Sequence, residues 1–322
     1  MKVLVFGFYS KNNAGDDLFK EAFKHLFPAL EFYFTDHITI NLLKDKDAVF
    51  IGGGSFLDQK PDIKEGALIP LGKKPIFYLG VGAETNIHET HQKLMRRALL
   101  IAIRSPHTDK IKEINENVIE IPDLVYSLAT KSQFNKSSHN SILFLPNIMT
   151  VPKWNNPHWM HISWEYYKME IAQTFDHLID TGRDINYYAM SSGKLNDEYA
   201  AIEIKNSMVK TQINSLIKID NIDIPALIRQ HSLVITQRYH GAILAEIAQV
   251  PYICIHHHDK LKSTHYNLGS FIPYFEFSKD RLLKEINNSP NQQTLTIEPH
   301  IFRDFVDRVN KCIASLDIKT NE

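Results

Sequence analysis

The chain has 322 residues, 43% hydrophobic and 23% charged, with a formal net charge of −1. That length favours two domains with cores of their own, and the near-neutral balance excludes the broad basic field that nucleic acid or an anionic membrane demands. Only two cysteines occur, Cys254 and Cys312; no disulfide framework is expected, and a reducing, cytoplasmic compartment fits.

In chain order, the opening MKVLVFGFYS holds too brief an apolar run for a signal peptide and predicts a first strand over Val3–Phe8. Leu18, Ala22, Phe23 and Leu26 have helical spacing within Asp17–Phe27. Ala48–Ile51 is a strand running into Gly52, Gly53 and Gly54; Pro75–Leu79 is another, running into Gly80-Val81-Gly82. His91–Leu100 reads as helix, Ala102-Ile103 as a short strand ending at Arg104, and Val118–Ile121 leads into Pro122-Asp123. Strands ending in glycine or polar loops and alternating with helices predict a parallel sheet covered on both faces.

Residues 131–140, KSQFNKSSHN, are polar and predict a linker. The pattern then restarts: strand Ser141–Leu145, helix Trp164–Asp180, strand Ile185–Ala189, helix Glu198–Asn206, short helix Pro225–Gln230, strand Leu233–Thr236, helix Ala242–Gln249 and strand Tyr252–Ile255. The fold class expected is α/β, two Rossmann-like domains with a central cleft, GT-B-like. Residues 1–130 form the first domain and 141–298 the second. Residues 299–322 form a C-terminal helix and tail packing back on the first domain. No apolar run reaches ~18 residues, so no transmembrane helix is predicted; peripheral association with a membrane stays compatible with the sequence.

The strongest local signal is VITQRYHGAILAEIAQV. A buried strand ends at Thr236, a turn presents Arg238, Tyr239 and His240, Gly241 lets the backbone turn, and a helix follows. The N–H groups and dipole of a helix N-terminus favour an anion. Arginine adds a planar fork for carboxylate or phosphate, and histidine titrates near neutrality as acid or base. The structural alternative is a solvated or salt-bridged Arg238 and a capping His240. In GFYSKNNAGDDL, Gly7, Asn13 and Gly15 suit a sharp loop; Asp16 is placed to cap the next helix or to act as base toward a sugar hydroxyl, with Asp17 beside it. Gly52, Gly53, Gly54 and Ser55 allow close approach of a ligand or of a facing backbone. His256, His257 and His258 alternate faces in a strand and lack nearby cysteine or carboxylate partners, so no metal is expected. Lys260 stands where a strand end could meet phosphate. Trp154, Trp159, Trp164, Tyr166 and Tyr167 suit either a sugar face or the core.

Together Asn13–Asp17, Gly52–Phe56, Arg238–Ala245 and Asp259-Lys260 resemble the polysaccharide pyruvyl transferase family, over about residues 3–262. Arg104-Ser105 and Pro122-Asp123 also resemble its pattern, with Ser105 where an acid is expected, and Asp197 resembles a further acidic position. The resemblance implies a GT-B-like fold, phosphoenolpyruvate as co-substrate with no cofactor, and a sugar or lipid-linked oligosaccharide as acceptor. On that pattern His240, Asp16 and Asp17 are the catalytic candidates. Arg238, Tyr239, Gly241 and Lys260 are donor-binding, and Asn13, Gly15, Gly52, Gly53, Gly54 and Ser55 line the acceptor loops. The rival readings are a nucleotide-sugar glycosyltransferase, for which Asp197 is the candidate ribose-gripping acid, and a non-catalytic glycan-binding or assembly protein on a decayed enzyme scaffold. Oligomeric state is not legible.

Overall fold

The computed structural model describes residues 1–9, 12–82, 86–104, 108–129, 140–153, 155–192, 196–209, 217–218, 223–256, 269–288 and 299–319. Lys260, Ser105, His257, His258, Trp154 and linker residues 131–139 lie outside them. The chain divides into two compact units, Met1–Leu128 with Ile297–Glu322, and Ala129–Thr296.

The first unit holds β1 (Lys2–Phe6), β2 (Glu31–Thr35), β3 (Ala48–Gly54), β4 (Ile76–Val81), β5 (Leu100–Ile103) and β6 (Val118–Glu120) in the order β2-β1-β3-β4-β5-β6. Every pairing is parallel. The chain leaves β1 toward β2 and later crosses to β3 on the other side. The β1/β3 boundary is therefore where the winding reverses, and in open α/β sheets ligands bind outside the strand carboxyl ends there.

Helix Ala14–Leu26 starts three residues before the predicted Asp17. Asn13, not Asp16, is its N-cap: its Oδ1 accepts from Gly15 N at 3.2 Å. Asp16 and Asp17 sit in the first turn, and Lys24 and His25 in the last, each sign matched to the helix dipole. The helix buries Phe19, Ala22 and Phe23. Phe23 meets Phe32, Phe34 and Phe50, and Phe27 meets Phe305 of helix Pro299–Lys319 at 5.7 Å between ring centroids. The edge strand β2, EFYFT, is absent from the sequence-based prediction; its alternate residues Phe32 and Phe34 join this aromatic cluster, and packing settles a segment that turn residues obscure.

His91, on helix Glu89–Met95, is fully buried. Its Nδ1 lies 3.1 Å from Tyr78 Oη, and its Nε2 has no hydrogen-bond partner. Burial first, then the neighbouring His88, pushes its pKa down to about 4. Unfolded, the ring titrates at roughly 6.5. Between these values the unfolded chain binds the extra proton, so stability falls as pH falls. Urea melts should show a loss of about 2 kcal/mol between pH 7 and pH 5 that His91→Phe removes. An equal pH slope in the variant would contradict this origin.

The second unit holds β7 (Ser141–Leu145), β8 (Asp184–Tyr187), β9 (Ile217–Lys218), β10 (Leu233–Thr236), β11 (Tyr252–His256) and β12 (Ser270–Pro273) in the order β12-β11-β10-β7-β8-β9, again all parallel. This is the order of a dinucleotide-binding Rossmann sheet, with its reversal between β7 and β10. Helix His158–Asp180 begins six residues before the predicted Trp164. It buries Trp164, Tyr167, Ile171 and Phe175 against the sheet, while Trp159 and Tyr166 are exposed. The predicted aromatic group therefore splits between core and surface.

Candidate active site

At the second unit's reversal, Thr236 aligns with Leu145 across β10 and β7. The two chains stay joined beyond the strands: Gln237 N donates to Leu145 O at 3.0 Å, and Asn147 N to Gln237 Oε1 at 3.0 Å. Arg238 then serves as N-cap of helix Tyr239–Ala248 without capping it through its side chain. The helix begins three residues earlier than predicted, so Tyr239, His240 and Gly241 occupy its first turn rather than a loop. Gly241 is helical, and its role is space: a Cβ there would stand 2.3 Å from Thr236 Oγ1 and 2.8 Å from Leu145 Cδ1. That hydroxyl accepts from Arg238 N at 3.0 Å and donates to Arg238 O at 3.1 Å, locking the residue that precedes the helix.

The Arg238 guanidinium meets Asp197 in a two-pronged pair. Nε donates to Oδ2 at 3.0 Å and Nη2 to Oδ1. Asp197 also accepts from Ile148 N at 3.0 Å and Ser191 N at 2.9 Å. Burial raises its pKa against the opposing pull of Arg238 and those N–H groups. The Asp197 side chain is 0% exposed and that of Arg238 15%, so the acid is sealed while the guanidinium keeps an outer edge, with both Nη1 donors, not engaged by Asp197. The salt-bridged reading of Arg238 thus holds in geometry, and Asp197 does not present its oxygens to a ribose. His240 is half-buried, with its ring 5.5 Å from that of Tyr239. Among the described residues no group of three or more His, Cys, Asp or Glu is placed to hold a metal.

The first unit's reversal is built in the same style. Tyr9 Oη, fully buried, donates to Gly52 O at 2.8 Å and ties the β1 loop to β3; burial and then Asp16 raise its pKa. Asn13 Nδ2 donates to Asp16 Oδ2 at 2.8 Å. A Cβ on Gly54 would lie 3.8 Å from Asp16 Oδ1, so Asp16 stands beside the β3 glycines. Asp17 instead pairs with Lys20 at 2.6 Å on the helix surface. Gly15 lies in the helix, and the left-handed turn in the loop falls at Asn12, with φ of 52°. Gly53 and Gly54 carry φ of 75° and 103°. Ser55 Oγ accepts from Arg104 Nη2 at 3.1 Å, while Arg104 Nη1 pairs with buried Asp123.

Each strand-end cluster therefore carries a buried aspartate holding an arginine. Arg104 and Asp123 follow β5 and β6, which are neighbours in the sheet, so an Arg after one strand and an Asp after the next was a readable signal. The pinning by Asn147 and Gln237 was not legible, because polar residues after strands are ordinary.

A family model for polysaccharide pyruvyl transferase matches residues 8–259, which include both strand-end clusters. The chain belongs to the polysaccharide pyruvyl transferase family. It is a transferase of two Rossmann-like units of the GT-B type. Structures similar to this family member include UDP-GlcNAc 2-epimerase from Methanocaldococcus jannaschii in complex with UDP-GlcNAc and UDP, with 12% identity, a TM-score of 0.57, and 97% of this chain and 100% of that chain covered. The S. aureus MnaA–UDP co-structure gives 12%, 0.56, 95% and 91%. UDP-GlcNAc 2-epimerase from Neisseria meningitidis bound to UDP-GlcNAc gives 11%, 0.53, 97% and 100%. At these identities the likeness concerns the fold. No curated protein matches the sequence.

Proposed function

We propose that the chain transfers the pyruvyl group of phosphoenolpyruvate to two hydroxyls of a sugar in a bacterial surface polysaccharide or its lipid-linked precursor, yielding a ketal and phosphate. The observation that carries this reading is Arg238, held by buried Asp197 at the N-terminus of helix Tyr239–Ala248 beside the β7/β10 reversal. A fixed guanidinium edge and a helix N-terminus suit a donor bearing both carboxylate and phosphate. Tyr239 and Gly241 contribute first-turn backbone to the same anion site, and Lys260 is assigned to the phosphate.

In this scheme His240 delivers a proton to the methylene carbon of the donor, and the adjacent carbon becomes electrophilic. A sugar hydroxyl oxygen bonds to that carbon and its proton passes to a carboxylate, Asp16 ahead of Asp17 because Asp17 is engaged by Lys20. The carbon–oxygen bond to phosphate breaks with its electron pair leaving on phosphate, which takes up the first hydroxyl's proton and so restores the carboxylate. The second hydroxyl closes the ketal, and its proton restores His240. Asn13, Gly15, Gly52, Gly53, Gly54 and Ser55 are assigned to the acceptor side. Charge aimed in advance supplies most of the rate gain, and no metal or cofactor enters the scheme. A nucleotide-sugar donor would require an acid on its ribose hydroxyls, and Asp197, the predicted candidate, has both oxygens bound inside the fold.

Phosphoenolpyruvate incubated with a panel of sugar and lipid-linked acceptors should release phosphate together with a pyruvylated product. Transfer from nucleotide sugars, with no phosphate released from phosphoenolpyruvate, would overturn the reading. His240→Asn should keep the melting temperature and lower turnover by ~100-fold or more, the scale of a general acid. The helix is capped at Arg238, so His240 is not its cap; a fall in melting temperature at unchanged turnover would assign His240 a packing role in the first turn instead.

A further inference from the structure

On helix His158–Asp180 the side turned away from the core carries an apolar stripe over its N-terminal half, before the exposed Gln173, His177 and Asp180. Trp159, Ile162, Tyr166 and Met169 are 54–57% exposed, and Phe275, 71% exposed, extends the stripe through its ring contact with Trp159 at 6.3 Å. Their spacing of three, four and three residues places them in one narrow row, the pattern of a seam that receives another helix. The buried residues Trp164, Tyr167 and Ile171 lie on the opposite side of the same helix, so the row contributes nothing to the core. A full aromatic side chain can bury ~150–250 Å², so these five leave on the order of 500 Å² in water, at the upper end of patches on monomers.

We infer that this stripe is a homodimer interface, in which the helix packs antiparallel against the same helix of a second copy. The exposed area supplies most of the ~800 Å² per partner that a specific complex covers, with exposed His158 and Glu165 along its flank and exposed Gln173 ending the row. An isologous contact places the same row on both sides. With the two-fold axis between Ile162 and Tyr166, Trp159 faces Met169 and Ile162 faces Tyr166. Each layer then pairs one aromatic with one aliphatic or thioether side chain, which gives layers of similar volume and sulfur–aromatic contacts. Parallel pairing would set tryptophan on tryptophan and methionine on methionine. A lipid surface fits less well, because interfacial helices carry lysine and arginine along the flanks. Here Glu165 lies beside the row, and the nearby Lys168 is engaged by Glu165 and Glu203.

The full chain should run as a dimer in light scattering at micromolar concentration. Ile162→Glu with Tyr166→Glu should yield a monomer with an unchanged circular dichroism spectrum, the dissociation constant rising on the order of 100-fold. A monomeric parent chain, or a doubly substituted chain that stays dimeric, would overturn the inference. The register has its own test that does not depend on those variants folding. In a Cys312→Ser background, Ile162→Cys with Tyr166→Cys should cross-link into covalent dimers on mild oxidation, and Ile162→Cys alone should not. Cross-linking by the single variant alone would exclude the antiparallel arrangement. A monomer that binds phosphatidylcholine–phosphatidylglycerol vesicles through the stripe would overturn the dimer in favour of a lipid surface.

Discussion

Arg238→Ala should weaken phosphoenolpyruvate binding by ~100-fold or more while leaving a folded protein. The fixed guanidinium would have offered a charge-assisted, planar contact to the donor, worth a few kcal/mol at a partly buried site. Isothermal titration gives the answer directly, and unchanged affinity would remove Arg238 from the donor site. The substitution also strands Asp197. A buried carboxylate that loses its cation typically costs ~3–5 kcal/mol, but Asp197 keeps the Ile148 and Ser191 N–H groups and can take up a proton.

The pH dependence of that stability follows in sign. Burial already raises the Asp197 pKa, and removal of Arg238 raises it further. An acid whose folded pKa exceeds its unfolded value contributes stability below the unfolded pKa and loses it as pH rises through the folded one. The variant should therefore be less stable at pH 7 than at pH 5, relative to the parent chain. Arg238→Lys separates the two roles. An ammonium still neutralises Asp197 but cannot span both its oxygens while presenting a second edge. Stability should return near the parent value while donor affinity stays low. Recovery of both would mean that charge alone, not the fixed fork, serves the donor.

The parts of the fold legible in the sequence were those where one segment carries its own evidence. The apolar runs at β1, β3, β7 and β10 are buried on both faces, and a near-continuous hydrophobic run announces that. The start of helix Tyr239–Ala248 was misplaced because Gly241 reads locally as a turn, whereas its missing Cβ makes room for Thr236 and Leu145. Helix Ala14–Leu26 was entered late because Asp16 and Asn13 are both good caps, and only the backbone shows that Asn13 takes the role. At the candidate site, residue types after strand ends marked Asn13, Asp16, the β3 glycines and Arg238, which the structure places at the strand ends of their own units. The clamp of Asp197 on Arg238 spans 41 positions, and no local pattern encodes such a distance.

Gly52→Ala should unfold the first unit well before the second, at a cost of roughly 4 kcal/mol or more, in the tail reserved for overpacked cores. Gly52 lies in the middle of the sheet, aligned with Leu79 of β4. A Cβ there would stand 2.3 Å from Leu79 O and 2.9 Å from Phe23 Cζ. The first is backbone held within the β3/β4 ladder, and the second is a ring packed among Phe32, Phe34 and Phe50; neither yields without moving a strand or the helix. The damage extends to the site, because Gly52 O accepts from Tyr9 Oη and so fixes the loop that leads to Asn13 and Asp16. Gly182→Ala is the control. Its φ is 81°, yet nothing lies within 4 Å of the added methyl, so only backbone strain of about 1 kcal/mol is expected. Urea melts followed by hydrogen exchange should show β1, β3 and β4 losing protection first in Gly52→Ala, with β7 and β10 protected to higher denaturant. Equal, small losses in both variants would show that the sheet opens to admit the methyl and that this close approach does not constrain the β1/β3 reversal.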